Sequence, residues 1–131
     1  MLKLNKELPH LIVIDNKNEV FEGTPYAECE FCFKFRPISP TKESDIMSRH
    51  MTVRNSKVKG SGDAQMAVFV ETLVQWEGIS ITGEEETAEC NKRNKEILYD
   101  KNPWLKELLK EAYERELNQI KQDKAETEKN S

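Results

Sequence analysis

The spacing of apolar residues changes once along the chain, at Ser39-Pro40, and that change limits the possible folds more than any other feature. From Ala27 to Phe35 the odd positions are Ala27, Cys29, Phe31, Phe33 and Phe35, while the even ones include Glu28, Glu30 and Lys34. Successive side chains of a strand point to opposite faces, so this alternation puts the phenylalanines and Cys29 on a buried face. Two shorter runs come first. Leu11 to Ile14 is closed by the turn formers Asp15-Asn16-Lys17-Asn18, and Glu19 to Glu22 by Gly23-Thr24-Pro25. Three short strands with one wet face predict a small antiparallel sheet.

Beyond Ser39 the apolar residues recur at helical spacing. Ser39 as N-cap and Pro40 at the first helical position start a helix predicted to reach about Met51, with Ile46, Met47 and Met51 as its stripe. Residues 52–62 hold Asn55, Ser56, Gly60, Ser61 and Gly62 and little to bury, so they read as a mobile loop. Asp63 then caps a central helix expected to run through Trp76 and stop at Gly78, with Met66, Ala67, Phe69, Val70, Leu73 and Val74 around most of its circumference. Thr82-Gly83-Glu84-Glu85 has the form of a capping box and predicts a helix to about Tyr99. Asn102-Pro103 opens the last helix, with Leu105, Leu108, Leu109, Ala112, Tyr113, Leu117 and Ile120 along one side. After Ile120 the chain is almost wholly polar and is expected to fray. The expected fold class is α+β: one domain over residues 1–120, β-rich from 8 to 36 and helical from 39 to 120, then a charged tail over 121–131. Phe31, Phe33, Phe35, Phe69, Leu73 and Trp76 are the expected core.

Several functional classes can be weighed from composition. With 34% charged and 37% hydrophobic residues, the chain is polar yet able to form a modest core. Its net charge of −4 argues against nucleic acid. Basic residues do concentrate between Lys34 and Lys59, but without interleaved aromatics after Phe35, so a solvated loop is the preferred reading there. No apolar run approaches the length of a membrane span, and no signal-peptide pattern opens the chain. Three cysteines in that setting suit a reducing cytoplasm.

Chemistry is sparse. Cys29 and Cys32 have the spacing of half a zinc site, but residues three apart on a strand face opposite ways, and Cys90, His10 and His50 are scattered. Gly60-Ser61-Gly62 lacks the strand and lysine of a phosphate loop. Glu84-Glu85-Glu86 is accounted for by the helix dipole. No nucleophile, base and orienting group combine, so no enzyme, metal or cofactor is expected. The stripe of the last helix reads first as core and alternatively as a docking face for another helix, with Trp104 beside it.

Val74-Gln75-Trp76-Glu77-Gly78-Ile79 ends the central apolar segment in a Trp-x-Gly-Ile turn. An acidic turn, a polar helix, an Asn-Pro start and a Leu-rich helix with Ala112-Tyr113 follow it. Together with Phe33-Lys34-Phe35-Arg36-Pro37-Ile38-Ser39-Pro40, this order resembles the tail assembly chaperones of long-tailed bacteriophages and prophages over about Ile14 to Glu116. Cys90 and the strongly charged helix before Asn102 depart from the more usual pattern of that family. The resemblance implies a non-catalytic cytoplasmic accessory that coats the tape-measure protein, helps tail-tube protein assemble around it and is absent from the finished particle. Many members also yield a longer product by frameshifting near the C-terminus. On that reading Trp104, Leu105, Leu109, Tyr113 and Leu117 are the partner-binding residues, and self-association stays open. The alternatives are another phage tail or head–tail component, or a small nucleic-acid-binding module using residues 34–59.

Overall fold

A computed structural model describes residues 1–4, 6–54 and 57–130, with side chains outside 53–58 and 123–130. Its architecture is α+β, with a three-stranded antiparallel sheet in the order β1 (Ile12–Asp15), β2 (Cys32–Phe35), β5 (Leu73–Glu77). Among the described residues four helices accompany it: α1 (Pro40–His50), α2 (Ser61–Thr72), α3 (Lys92–Lys101) and α4 (Pro103–Asn130). A separate hairpin joins β3 (Thr52–Arg54) to β4 (Lys57–Lys59).

The sheet has one apolar face. Ile12 pairs with Phe35 and Ile14 with Phe33, and all four are at most 2% exposed. On the opposite face Val13 is half exposed, and Cys32 and Lys34 are partly so. On the other side of β2, Phe33 pairs with Trp76 and Phe35 with Leu73 across a bulge between Lys34 and Phe35. The bulge gives β5 one extra residue, Val74, so Leu73 and Trp76 reach the same buried face although they are three apart. Phe31, Phe33, Phe35, Phe69, Leu73 and Trp76 all lie in the core cluster, together with Phe21, Leu98, Leu109 and Ala112. Edge-to-face ring contacts tie Phe33 to Phe31 and Trp76, and Phe35 to Phe69 and Tyr113.

Several expectations from sequence need correction. The central helix ends at Thr72, whose hydroxyl donates to the carbonyls of Val68 and Phe69. The chain then becomes β5, because Leu73-Val74-Gln75-Trp76 gains a full strand partner in β2. The helix begins at Ser61 rather than at Asp63, with Gly60 at its N-cap in the left-handed region. A side chain there would overlap the His50 carbonyl oxygen, which only glycine avoids.

Residues 52–62, expected as an open loop, form the β3–β4 hairpin and the start of α2. One valine per strand gave too little alternation to mark it. Asn55 and Ser56, between the two strands in sequence, lie outside the described residues. Glu19–Phe21 is a 3₁₀ turn, not a strand, and buries Phe21 completely. Asn18 holds it, its side chain accepting from the Val20 amide at 3.1 Å. Pro25–Glu28 is also 3₁₀, so the second strand starts at Cys32 and leaves Cys29 exposed instead of in the core.

The Thr82 capping box opens no helix. Residues 78–91 form turns and a bridge between Ser80 and Thr87, and Asn91 caps α3 instead, accepting from the Asn94 amide at 2.9 Å. Pro103 does start α4, but the Asn102 side chain turns back to donate to the Ile97 carbonyl at the end of α3. The stretch after Ile120, expected to fray, continues α4 to Asn130; Ser131 lies outside the described residues. At 28 residues α4 is about 42 Å long.

Candidate docking cleft

The stripe of α4 divides the proposed partner-binding residues. Leu109 is fully buried with Ala112 against the sheet, so it is core and not a docking residue. A leucine at a helix–sheet contact has no surface left to offer a partner. Tyr113 and Leu117 are partly buried, as is Ile120 one turn on. Trp104 is 54% exposed and rests edge-on against Tyr26, with ring centroids 5.2 Å apart. Leu105 packs partly against the core. Tyr113 and Leu117 therefore share one wall above the buried Leu109, whereas Trp104 and Leu105 do not line it.

That wall borders a cleft of about 1090 Å³. Its opposite side is formed by Met47 of α1 and by Val68 and Phe69 of α2, and its floor includes Phe35, Pro37 and the side of Leu109. Charged residues stand around the apolar lining: Glu43 on α1, and Lys110, Glu114 and Lys121 on α4. Lys3, Leu4 and residues Lys6 to Pro9 border it as well. Tyr113 sits between core and cleft; burial raises its phenol above the ordinary tyrosine range, and the Glu43 carboxylate adds to the shift.

Two supports hold the cleft walls in place. Lys42 of α1 meets Glu71 of α2 at 2.7 Å, and that hydrogen bond keeps the Glu71 carboxyl below its ordinary value. Lys95 of α3 donates to the Val70 carbonyl near the end of α2 at 3.2 Å, where a cation complements the helix dipole. Lys42 is thus engaged within the fold, and the basic stretch from Lys34 to Lys59 spans a strand, a helix and a hairpin instead of one loop.

From the buried face of the sheet, the Trp76 indole donates to the Ala88 carbonyl at 2.7 Å and pins residues 79–91. Gly78, at φ +75°, lies so close to Glu30 that a Cβ would overlap the Glu30 carbonyl oxygen. The Trp-x-Gly-Ile turn is therefore structural, with Trp76 as the anchor and Gly78 permitting a backbone crossing.

The three cysteines are free thiols, and burial raises Cys32 and Cys90 above the ordinary thiol value. Among the described residues no cluster of His, Cys, Asp and Glu could hold a metal ion, Glu84 being paired with Arg93 at 3.1 Å. Among the same residues no helix is long and apolar enough to cross a membrane. Sequence reasoning missed Met47, Val68 and Ile120 as cleft residues. Met47 and Ile120 were visible as apolar helix positions, but nothing local told which faces would meet. Comparison with protein families, with curated proteins and with solved structures finds no match in any of the three.

Proposed function

We propose that the protein is a non-catalytic tail assembly chaperone whose cleft between α1, α2 and α4 holds an apolar helical segment of a tape-measure protein. The cleft carries this reading. Its lining is mostly apolar, its rim bears both signs of charge, and one wall is a helix presenting Tyr113, Leu117 and Ile120. Helix-in-groove recognition uses such a surface, with the client's apolar residues at i, i+3, i+4 and i+7 as anchors. Half-covered leucine and isoleucine side chains gain from losing their remaining contact with water. The Trp76-to-Ile79 turn and the order of elements around it, which resemble the phage and prophage chaperones, supply the identity of the client. Assistance to tail-tube assembly and a cytoplasmic setting follow from that reading.

The test is binding of a labelled amphipathic peptide taken from a tape-measure protein. Binding is expected to change little with salt, and Leu117→Ser with Ile120→Ser should weaken it at least about tenfold, the loss of two partly buried anchors. Unchanged circular dichroism would show that the variant still folds. The proposal fails if the double variant binds as well as the parent. Binding only to nucleic acid, with a steep salt dependence, would favour the regulatory-module alternative instead.

A further inference from the structure

Charge on α4 is laid out in a fixed order beside the half-covered part of its stripe. At roughly 3.6 residues per turn, Lys110, Glu114 and Lys121 fall within about 40° of one another around the helix, next to Tyr113, Leu117 and Ile120. All six border the cleft. The charged row therefore flanks the apolar one and reads positive, negative, positive, with steps of about 6 Å and about 10 Å along the axis. Glu43 stands on the α1 wall, close enough to Tyr113 to raise its phenol. Among the described residues, none of Glu43, Lys110, Glu114 and Lys121 enters an ion pair, whereas the sequence neighbours Lys42 and Arg115 do. Lys3, Lys6 and Glu7 border the cleft too, but they lie outside any helix or strand and set no regular spacing.

We propose that these four charges select the client: a helix whose flank carries a base between two acids, the base opposite Glu114 and Glu43, the acids opposite Lys110 and Lys121. Selection rests on the reading of the cleft as a helix-binding site, and not on the client being a tape-measure protein. Desolvation supplies it. In the open cleft water screens the row, and its charges contribute little. A seated helix displaces that water, and a carboxylate or ammonium left there without a partner opposes binding. An opposite charge on the client removes the penalty, while a like charge adds repulsion. Flanking charges set partner choice in coiled coils by the same means. The two steps are unequal, so each client direction needs its own spacing. A parallel helix carries its base four residues after the first acid and seven before the second, and an antiparallel one the reverse.

The experiment titrates the full chain at low salt with helical peptides that share leucine anchors at i, i+3, i+4 and i+7 and differ only in the flank. One flank is acid–base–acid, one base–acid–base and one glutamine throughout, and the charged ones are made in both spacings. The better acid–base–acid peptide is expected to bind about tenfold more tightly than either base–acid–base peptide, a sum of several modest pairs. That gap should narrow at high salt, while the glutamine peptide keeps its affinity. Glu43→Lys/Lys110→Glu/Glu114→Lys/Lys121→Glu should invert the preference, with circular dichroism unchanged. Equal or reversed binding of the charged peptides to the parent overturns the proposal and leaves the helix-binding reading intact. A folded variant that keeps the parent's preference also overturns it. If the variant does not fold, the comparison on the parent still decides. Binding of no peptide at all removes the reading and the proposal together.

Discussion

Leu109 and Ala112 on α4 have no exposed surface, whereas Tyr113, Leu117 and Ile120 on the same helix are only partly covered. The first pair lies in the core cluster with Ile12, Phe35 and their neighbours, and the second group borders the cleft. Both belong to one apolar stripe with one spacing. A stripe states that a face is to be covered, but what covers it depends on where the rest of the chain runs. Here the sheet is only three short strands wide, and α4, about 42 Å long, extends beyond it. The cleft exists because a long helix leans on a short sheet.

The comparison breaks most visibly at Leu109. Leu109→Ala deletes buried methyl groups and leaves a void that the sheet and helix cannot fully close, at a cost of about 2–5 kcal/mol. Urea denaturation should show this as a lower midpoint. Leu117→Ala, in the half-covered part, should lower it much less. Equal losses at the two positions would mean that the stripe is uniform and that the cleft is part of the ordinary core.

A second contrast lies between the two ends of β5. Leu73 contributes packing alone, while Trp76 contributes packing and a hydrogen bond to Ala88. Trp76→Phe keeps an aromatic ring against Phe33 but leaves the Ala88 carbonyl without its indole donor. The expected cost is about 1–3 kcal/mol. The effect should be local, with faster amide hydrogen exchange at Ala88, whose N–H bonds the Ile79 carbonyl at 2.8 Å. If exchange at Ala88 does not change, the indole is not what pins residues 79–91.

The fold class and half of the core cluster were legible in the sequence, and the path of β5 was not. Phe33 and Phe35 of β2, and Phe31 just before it, announced themselves by alternation. Leu73 and Trp76 are three apart, the spacing of one helix face, and were read as helix for that reason. Their shared face is made by a bulge against Phe35, a tertiary feature with no local signature. Thr82-Gly83-Glu84-Glu85 opens no helix for a related reason. Its capping pattern is real, but Trp76 and the Ser80–Thr87 bridge claim that segment first, and Asn91 performs the capping instead. The cleft was half legible. Its α4 wall followed from periodicity, whereas its α1 and α2 wall depends on how two helices settle over the end of the sheet.

Tyr113 stands where core and cleft meet, and it gives the smallest effect. Its ring packs on Phe35, and its phenol is raised first by burial and second by Glu43 across the cleft. A phenol is neutral when protonated, so a raised value in the folded state means that folding favours the protonated form. Below the unfolded value of about 10 both states are protonated and the group has no effect on the pH dependence. As pH rises past that value the unfolded chain gives up its proton before the folded one does. The folded state then binds more protons, and stability falls with rising pH. Tyr113→Phe removes this group while keeping the ring, so the loss of stability in the alkaline range should become shallower, with little change at neutral pH. Equilibrium denaturation on both sides of the tyrosine range measures it. Adding Glu43→Gln to the parent should recover part of the same change, since it removes the second cause and leaves the burial. An identical pH profile in all three proteins would place Tyr113 in water and take away the link between core and cleft.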